Sequence, residues 1–78
     1  MRERGTDIII AELLRAERVR AGLTQARLAD ALGAPQSFVA KLENGERRLL
    51  LLDAIAVSDI LGFDLPTFCQ KIKTSLKG

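Results

Sequence analysis

Apolar residues recur along this chain at intervals of three and four, and no segment alternates strictly between apolar and polar positions. That period belongs to amphipathic helices, so the chain is predicted to be all-α. The breaks fall at Gly22, at Gly33 with Pro35, at Asn44-Gly45, and from Gly62 to Pro66. Glycine admits left-handed backbone and proline lacks an amide proton, so both punctuate helices. A first helix is expected from Asp7 to Ala21, capped by Asp7 or Thr6, with Ile10, Leu13 and Leu14 as its apolar stripe. Residues 1–6 are expected to be flexible.

A second helix is expected after Thr24, a good capping residue, with Leu28, Ala29 and Leu32 facing inward and Gly33 as its stop. The third runs from about Pro35 to Glu43, buries Val39 and Leu42, and ends at Asn44-Gly45, where either residue tolerates left-handed backbone. Two short helices around a tight glycine turn, from Gln25 to Leu42, have the spacing of a helix-turn-helix. A basic loop, Glu46-Arg47-Arg48, follows. The fourth helix is predicted over Leu51 to Leu61 with Leu52, Ile55 and Leu61 buried, and a fifth over Pro66 to Leu76 with proline first. In the run Leu49 to Leu52 at least one leucine cannot face the chain's own core.

Composition narrows the function classes. The chain has 78 residues, room for one small domain. Lys plus Arg is 12 and Asp plus Glu is 10, a net charge of +2 that rules out a polybasic protein and leaves a local basic patch possible. Histidine is absent and Cys69 is the single cysteine. An intrachain disulfide, a Cys/His metal site and histidine-assisted nucleophiles are thereby excluded. The opening residues do not form a secretory signal, and no apolar run is long enough to span a membrane. A reducing, cytoplasmic setting is expected. These features favour a binding protein over an enzyme, and no cofactor or small-molecule ligand is expected. Cys69 reads as a small hydrophobe of the fifth helix. Asp53, Asp59 and Asp64 read as solvated carboxylates, and Asp7, Glu12 and Glu17 as surface charge on the first helix.

Five ordered pieces, Gly22-Leu23-Thr24-Gln25, Leu28-Ala29, Leu32-Gly33, Gln36-Ser37-Phe38-Val39 and Lys41-Leu42-Glu43-Asn44-Gly45, together resemble the Cro/C1-type helix-turn-helix family, which includes phage-repressor-like and xenobiotic-response-element-like regulators. The resemblance covers about Ile10 to Leu65. It implies a five-helix, lambda-repressor-like DNA-binding domain over residues 1–78, with the helix-turn-helix at 24–44 and a C-terminal helix at 64–77 used for dimerisation. It also implies that Thr24, Gln25, Asn44, Arg47 and Arg48 meet phosphates, while Gln36, Ser37 and Lys41 meet bases. Physical chemistry agrees with the assignment: a helix N-terminus attracts anions, Gln pairs with adenine, and Lys donates to guanine. The bland alternative for Gln36, Ser37 and Lys41 is a solvated helix face. Phe38 is either a half-buried core aromatic or a contact to sugar or thymine methyl. Arg18 and Glu43 match a pair that this family joins by a salt bridge.

The sequence departs from the family pattern at Pro35, which offers no hydroxyl cap, at Arg27, where a capping-box glutamate is common, and at Leu50, where relatives often place aspartate. The implied function is a sequence-specific transcription regulator, acting on double-stranded DNA as a homodimer at a palindromic operator, of repressor or restriction–modification-controller type. The alternatives are the antitoxin half of a toxin–antitoxin pair, or an interaction module that kept the fold and lost DNA reading. Apolar residues of the last two helices exceed what one small core absorbs, so Leu50, Leu51, Leu65, Phe68, Ile72 and Leu76 are expected at the dimer interface.

Overall fold

The structure, a computed structural model, describes residues 4–77, with side chains from Asp7 onward. It contains α1 (Arg4–Arg20), α2 (Gln25–Leu32), α3 (Gln36–Glu43), α4 (Leu51–Leu61) and α5 (Leu65–Lys77). No strand occurs among the described residues. Helix α1 already includes Arg4, ahead of the expected start, so positions 6 and 7 lie within the helix, with Asp7 in its first turn. The expected flexible segment falls partly on residues 1–3, outside the described residues, while residues 4–6 are helical.

The core is a single cluster formed by Leu14, Leu28, Ala29, Val39, Leu42, Val57, Leu61 and Phe68. Every helix contributes to it. Helix α1 packs on α3 and α5, α2 on α3 and α4, and α4 on α5, so α1 and α4 frame the helix-turn-helix from behind. Leu14, Leu28, Val39 and Val57 are fully buried, and truncating one of them to alanine opens a cavity that typically costs ~2–5 kcal/mol for a leucine. Among the described residues no helix is long and apolar enough to cross a membrane.

Helix ends follow the capping chemistry. Thr24 Oγ1 accepts the Arg27 amide at 3.1 Å, closing the start of α2. Gly33 at φ 69° ends α2, and Gly62 at φ 75° ends α4; at both, left-handed backbone suits a residue without Cβ. At the start of α5, Asp64 Oδ2 accepts the Thr67 amide at 3.0 Å and the Thr67 hydroxyl at 2.6 Å. Those two hydrogen bonds, the hydroxyl's first, hold the Asp64 carboxyl below its ordinary 3.8. Asp64 is thus a cap rather than a bystander. Leu65 precedes Pro66 in the helix, so proline is its second residue.

Five expectations are corrected. Leu52 and Ile55 are 80% and 41% exposed; α4 turns Ala54, Val57, Ser58 and Leu61 inward instead. The buried stripe of α1 is Ala11, Leu14 and Arg18, with Ile10 only half-buried. Glu17 is buried, held by Arg20 at 2.8 Å and by Lys71 of α5 at 3.5 Å. Cys69 is exposed on α5 rather than packed as a small hydrophobe. Among the expected interface residues, Phe68 is 3% exposed, its ring 4.8 Å from that of Phe63, so it belongs to the chain's own core.

Candidate nucleic-acid interface

The turn between α2 and α3 sets the geometry of the site. The Gly33 amide donates to Asp30 at 3.1 Å and the Ala34 amide to Ala29 at 2.9 Å, closing the end of α2 and reversing the chain. Leu28 and Ala29 of α2, with Val39 and Leu42 of α3, anchor both helices in the core. Burying Val39 and Leu42 turns the opposite face of α3 outward. Gln36, Ser37 and Lys41 are all exposed there, with Ser37 and Lys41 one turn apart on the same face.

The electrostatics of this surface favour an anion. Neither α2 nor α3 has an acidic residue in its first turn. The start of α3 has no side-chain cap, because Pro35 has no group to offer. Amides at such an end are left to solvent or to a bound anion, and the helix dipole adds to the attraction. Thr24 and Arg27 are exposed at the start of α2. The one acid of α3, Glu43, is neutralised from behind by Arg18.

That pairing links three elements. Arg18 Nε donates to Glu43 Oε2 at 2.6 Å, its Nη2 donates to Oε1 at 3.0 Å, and its Nη1 donates to the Leu23 carbonyl at 2.7 Å. Gln25 Nε2 donates to Glu43 Oε1 at 3.2 Å. The half-buried Gln25 side chain, assigned to phosphate by the resemblance, is therefore engaged with Glu43 and ties the start of α2 to the end of α3.

Beyond α3 the chain is fixed by its backbone. Asn44 stays right-handed, and Gly45 takes the left-handed turn at φ 74°. A Cβ on Gly45 would sit 3.2 Å from Ile8 Cγ1, so the turn also lies close against α1. The Lys41 carbonyl accepts the amides of Glu46 at 3.0 Å and Arg47 at 3.3 Å. Asn44 Nδ2 donates to Glu46 Oε2 at 3.2 Å. Arg47 and Arg48 are exposed, and the Arg47 guanidinium lies 4.6 Å above the half-buried Phe38 ring. That cation–π contact was not legible beforehand, since an aromatic in α3 and an arginine past a glycine turn share no periodic register. Arg27 was visible as an odd basic residue in a helix's first turn.

The comparisons with known proteins agree with this geometry. A helix-turn-helix family model matches residues 14–68. No curated protein sequence matches the chain. Among solved structures, an XRE-family like protein from Pseudomonas syringae is 37% identical, with a TM-score of 0.81 over 91% of this chain and 87% of its own. The restriction-modification controller protein C.AhdI from Aeromonas hydrophila is 25% identical, with a TM-score of 0.77 over 83% of this chain and 94% of its own. The clp gene regulator ClgR from C. glutamicum is 21% identical, with a TM-score of 0.81 over 90% and 91%, a likeness of fold. With the family model spanning both helices of the motif and the core behind them, the chain belongs to the Cro/C1-type helix-turn-helix family of DNA-binding transcription regulators.

Proposed function

We propose that this protein regulates transcription as a homodimer that places two α3 helices in successive major grooves of a palindromic operator. The observation that carries this reading is the outer face of α3 and its following loop. Gln36, Ser37 and Lys41 stand exposed beside Arg47 and Arg48, and the starts of α2 and α3 carry no acid. In this reading Gln36, Ser37 and Lys41 meet base edges, while Thr24, Asn44, Arg47 and Arg48 meet phosphates. Gln25 acts at one remove, by fixing α2 against α3 through Glu43.

Size supports pairing. The longest dimension of the folded chain is 33 Å. Successive major grooves on one face of the duplex are about 34 Å apart, so one copy with one recognition helix reads a single half-site. Two copies related by a two-fold axis read an inverted repeat. The likeness to a restriction-modification controller protein is in keeping with a regulator.

Selection of bound fragments from a random DNA pool tests the reading. Enrichment of an inverted repeat with half-sites about one helical turn apart is the expected result. Recovery of unrelated sequences with no shared motif would refute sequence-specific regulation.

A further inference from the structure

The described residues include seven large apolar side chains that are exposed, and four of them, Leu50, Leu51, Leu52 and Ile55, lie together at the start of α4. Leu50 and Leu51 are 58% and 72% exposed. Leu51 and Ile55 are one turn apart, Leu52 and Ile55 nearly so, and together they make one stripe down the outside of the helix. The same turn is unusual in a second respect. Leu50 occupies the cap position of α4 and makes no side-chain bond to the helix amides. Leucine is a poor cap, and a polar residue there would have satisfied those amides and removed an exposed hydrophobe. The chain forgoes both capping and solvation at one place, which fits a surface that is covered in the working protein.

The charges around the stripe identify the cover. Three and four residues ahead of Leu51 come the exposed Arg48 and Arg47, and one turn beyond Ile55 stands the exposed Asp59. The order along this stretch of chain is basic, apolar, acidic. A surface ordered this way complements itself when a second copy runs antiparallel to it: leucines meet leucines, and each Asp59 faces the other copy's basic end. Antiparallel contact of one helix with its own copy follows from a two-fold axis perpendicular to that helix. Helix α5 is less suited, because Phe68 is committed to the core and Leu65 and Ile72 already pack against it.

We infer that the homodimer forms through α4, by antiparallel packing of Leu51, Leu52 and Ile55 on the same residues of a second copy, with Asp59 set against the basic loop across the axis. The inference rests on the regulator reading only in its choice of a homodimer. It puts the two-fold axis at the exposed stripe of α4, so the contact that pairs the copies also sets the spacing of their α3 helices.

Sedimentation equilibrium of the full chain, with no DNA present, tests it. The wild type is expected at twice 8.5 kDa at micromolar concentration. Leu52→Glu is expected to sediment as a monomer, with self-association weakened about 100-fold or more by a charge placed in the apolar contact. Leu52 is exposed, and a glutamate in the first turn suits the helix dipole, so circular dichroism should show the helices intact. Asp59→Lys is expected to weaken the dimer several-fold at low salt and less at high salt. A wild type that stays monomeric, a Leu52→Glu variant that still pairs, or an α5 variant, Leu76→Glu, that alone splits the dimer would each overturn the assignment. Binding to a duplex carrying one half-site separates the two readings: monomeric Leu52→Glu that retains it supports the α4 contact, whereas a normal dimer that binds no DNA removes the regulator reading and leaves this contact standing.

Discussion

Arg18 of α1 grips Glu43 at the end of α3 through two parallel hydrogen bonds of 2.6 and 3.0 Å, with the side chains only 11% and 2% exposed. The pair fixes the end of α3 to the scaffold and neutralises the one acid of that helix. Removing one partner leaves the other charged and largely buried, so Arg18→Ala or Glu43→Ala is expected to destabilise the fold by up to ~3–5 kcal/mol. Arg18→Lys keeps the charge but loses the forked geometry and the bond to the Leu23 carbonyl, so it too should destabilise. Urea unfolding of the two single variants and the double variant reads the coupling. A cycle with no coupling energy would remove the pair from this role.

On the outer face of α3 the two kinds of contact should separate by their signatures. Gln36→Ala is expected to cost about 1–3 kcal/mol on the preferred operator and to relax its sequence preference. Arg48→Ala should weaken binding to all sequences alike and lower the salt slope by about one. Titrations on operator and scrambled duplex across a salt series distinguish them. If both variants bind as the wild type does, α3 does not dock in the proposed way.

The stacked Phe38 ring makes a separate prediction about Arg47. An exposed cation–π contact contributes about 0.5–1 kcal/mol, enough to hold the guanidinium beside α3. Phe38→Leu keeps an apolar side chain against the core and frees Arg47 from the ring. Affinity for DNA should fall roughly two- to fivefold, as expected for a loss of that size. In an Arg47→Ala background the same change should have no further effect. A full additional loss there would mean that Phe38 touches DNA itself.

Much of this architecture was legible because local chemistry dictates it. Thr24, Gly33 and Gly62 mark helix ends through one hydroxyl and two left-handed turns, signals confined to a few residues. The spacing of Leu28, Ala29, Val39 and Leu42 placed the two motif helices correctly. What failed depended on distant partners or on missing period. In α4 the run Leu49 to Leu52 is apolar on every side, so it carries no phase, and the true inward face uses the small Ala54 and Ser58, whose hydrophobic signal is weak. The burial of Glu17 depends on Lys71, far along the chain in α5. On the site itself, the exposed polar positions of α3 followed once Val39 and Leu42 were placed inside. The inward turn of Gln25 did not, because it needs the end of α3 to be folded against the start of α2.

The cap of α5 offers a test with pH as the variable. Asp64 receives the Thr67 amide and hydroxyl, and both bonds favour the ionised carboxylate, so its folded value lies below the ordinary 3.8. A group whose pKa is lowered by folding contributes stability that is present above its unfolded value and disappears as pH falls through the folded one. At neutral pH the contribution is complete. Thermal unfolding should therefore show Asp64→Ala melting below the wild type at neutral pH. The gap should narrow as pH drops below 3.8, because protonation releases the charge-assisted part of the cap in the wild type while the variant has nothing there to lose. Thr67→Val, which removes the hydroxyl and leaves the amide, should lose only part of the same pH-dependent increment. A gap between wild type and Asp64→Ala that stays constant from neutral pH to well below 3.8 would show that the carboxylate's charge plays no part in holding the start of α5.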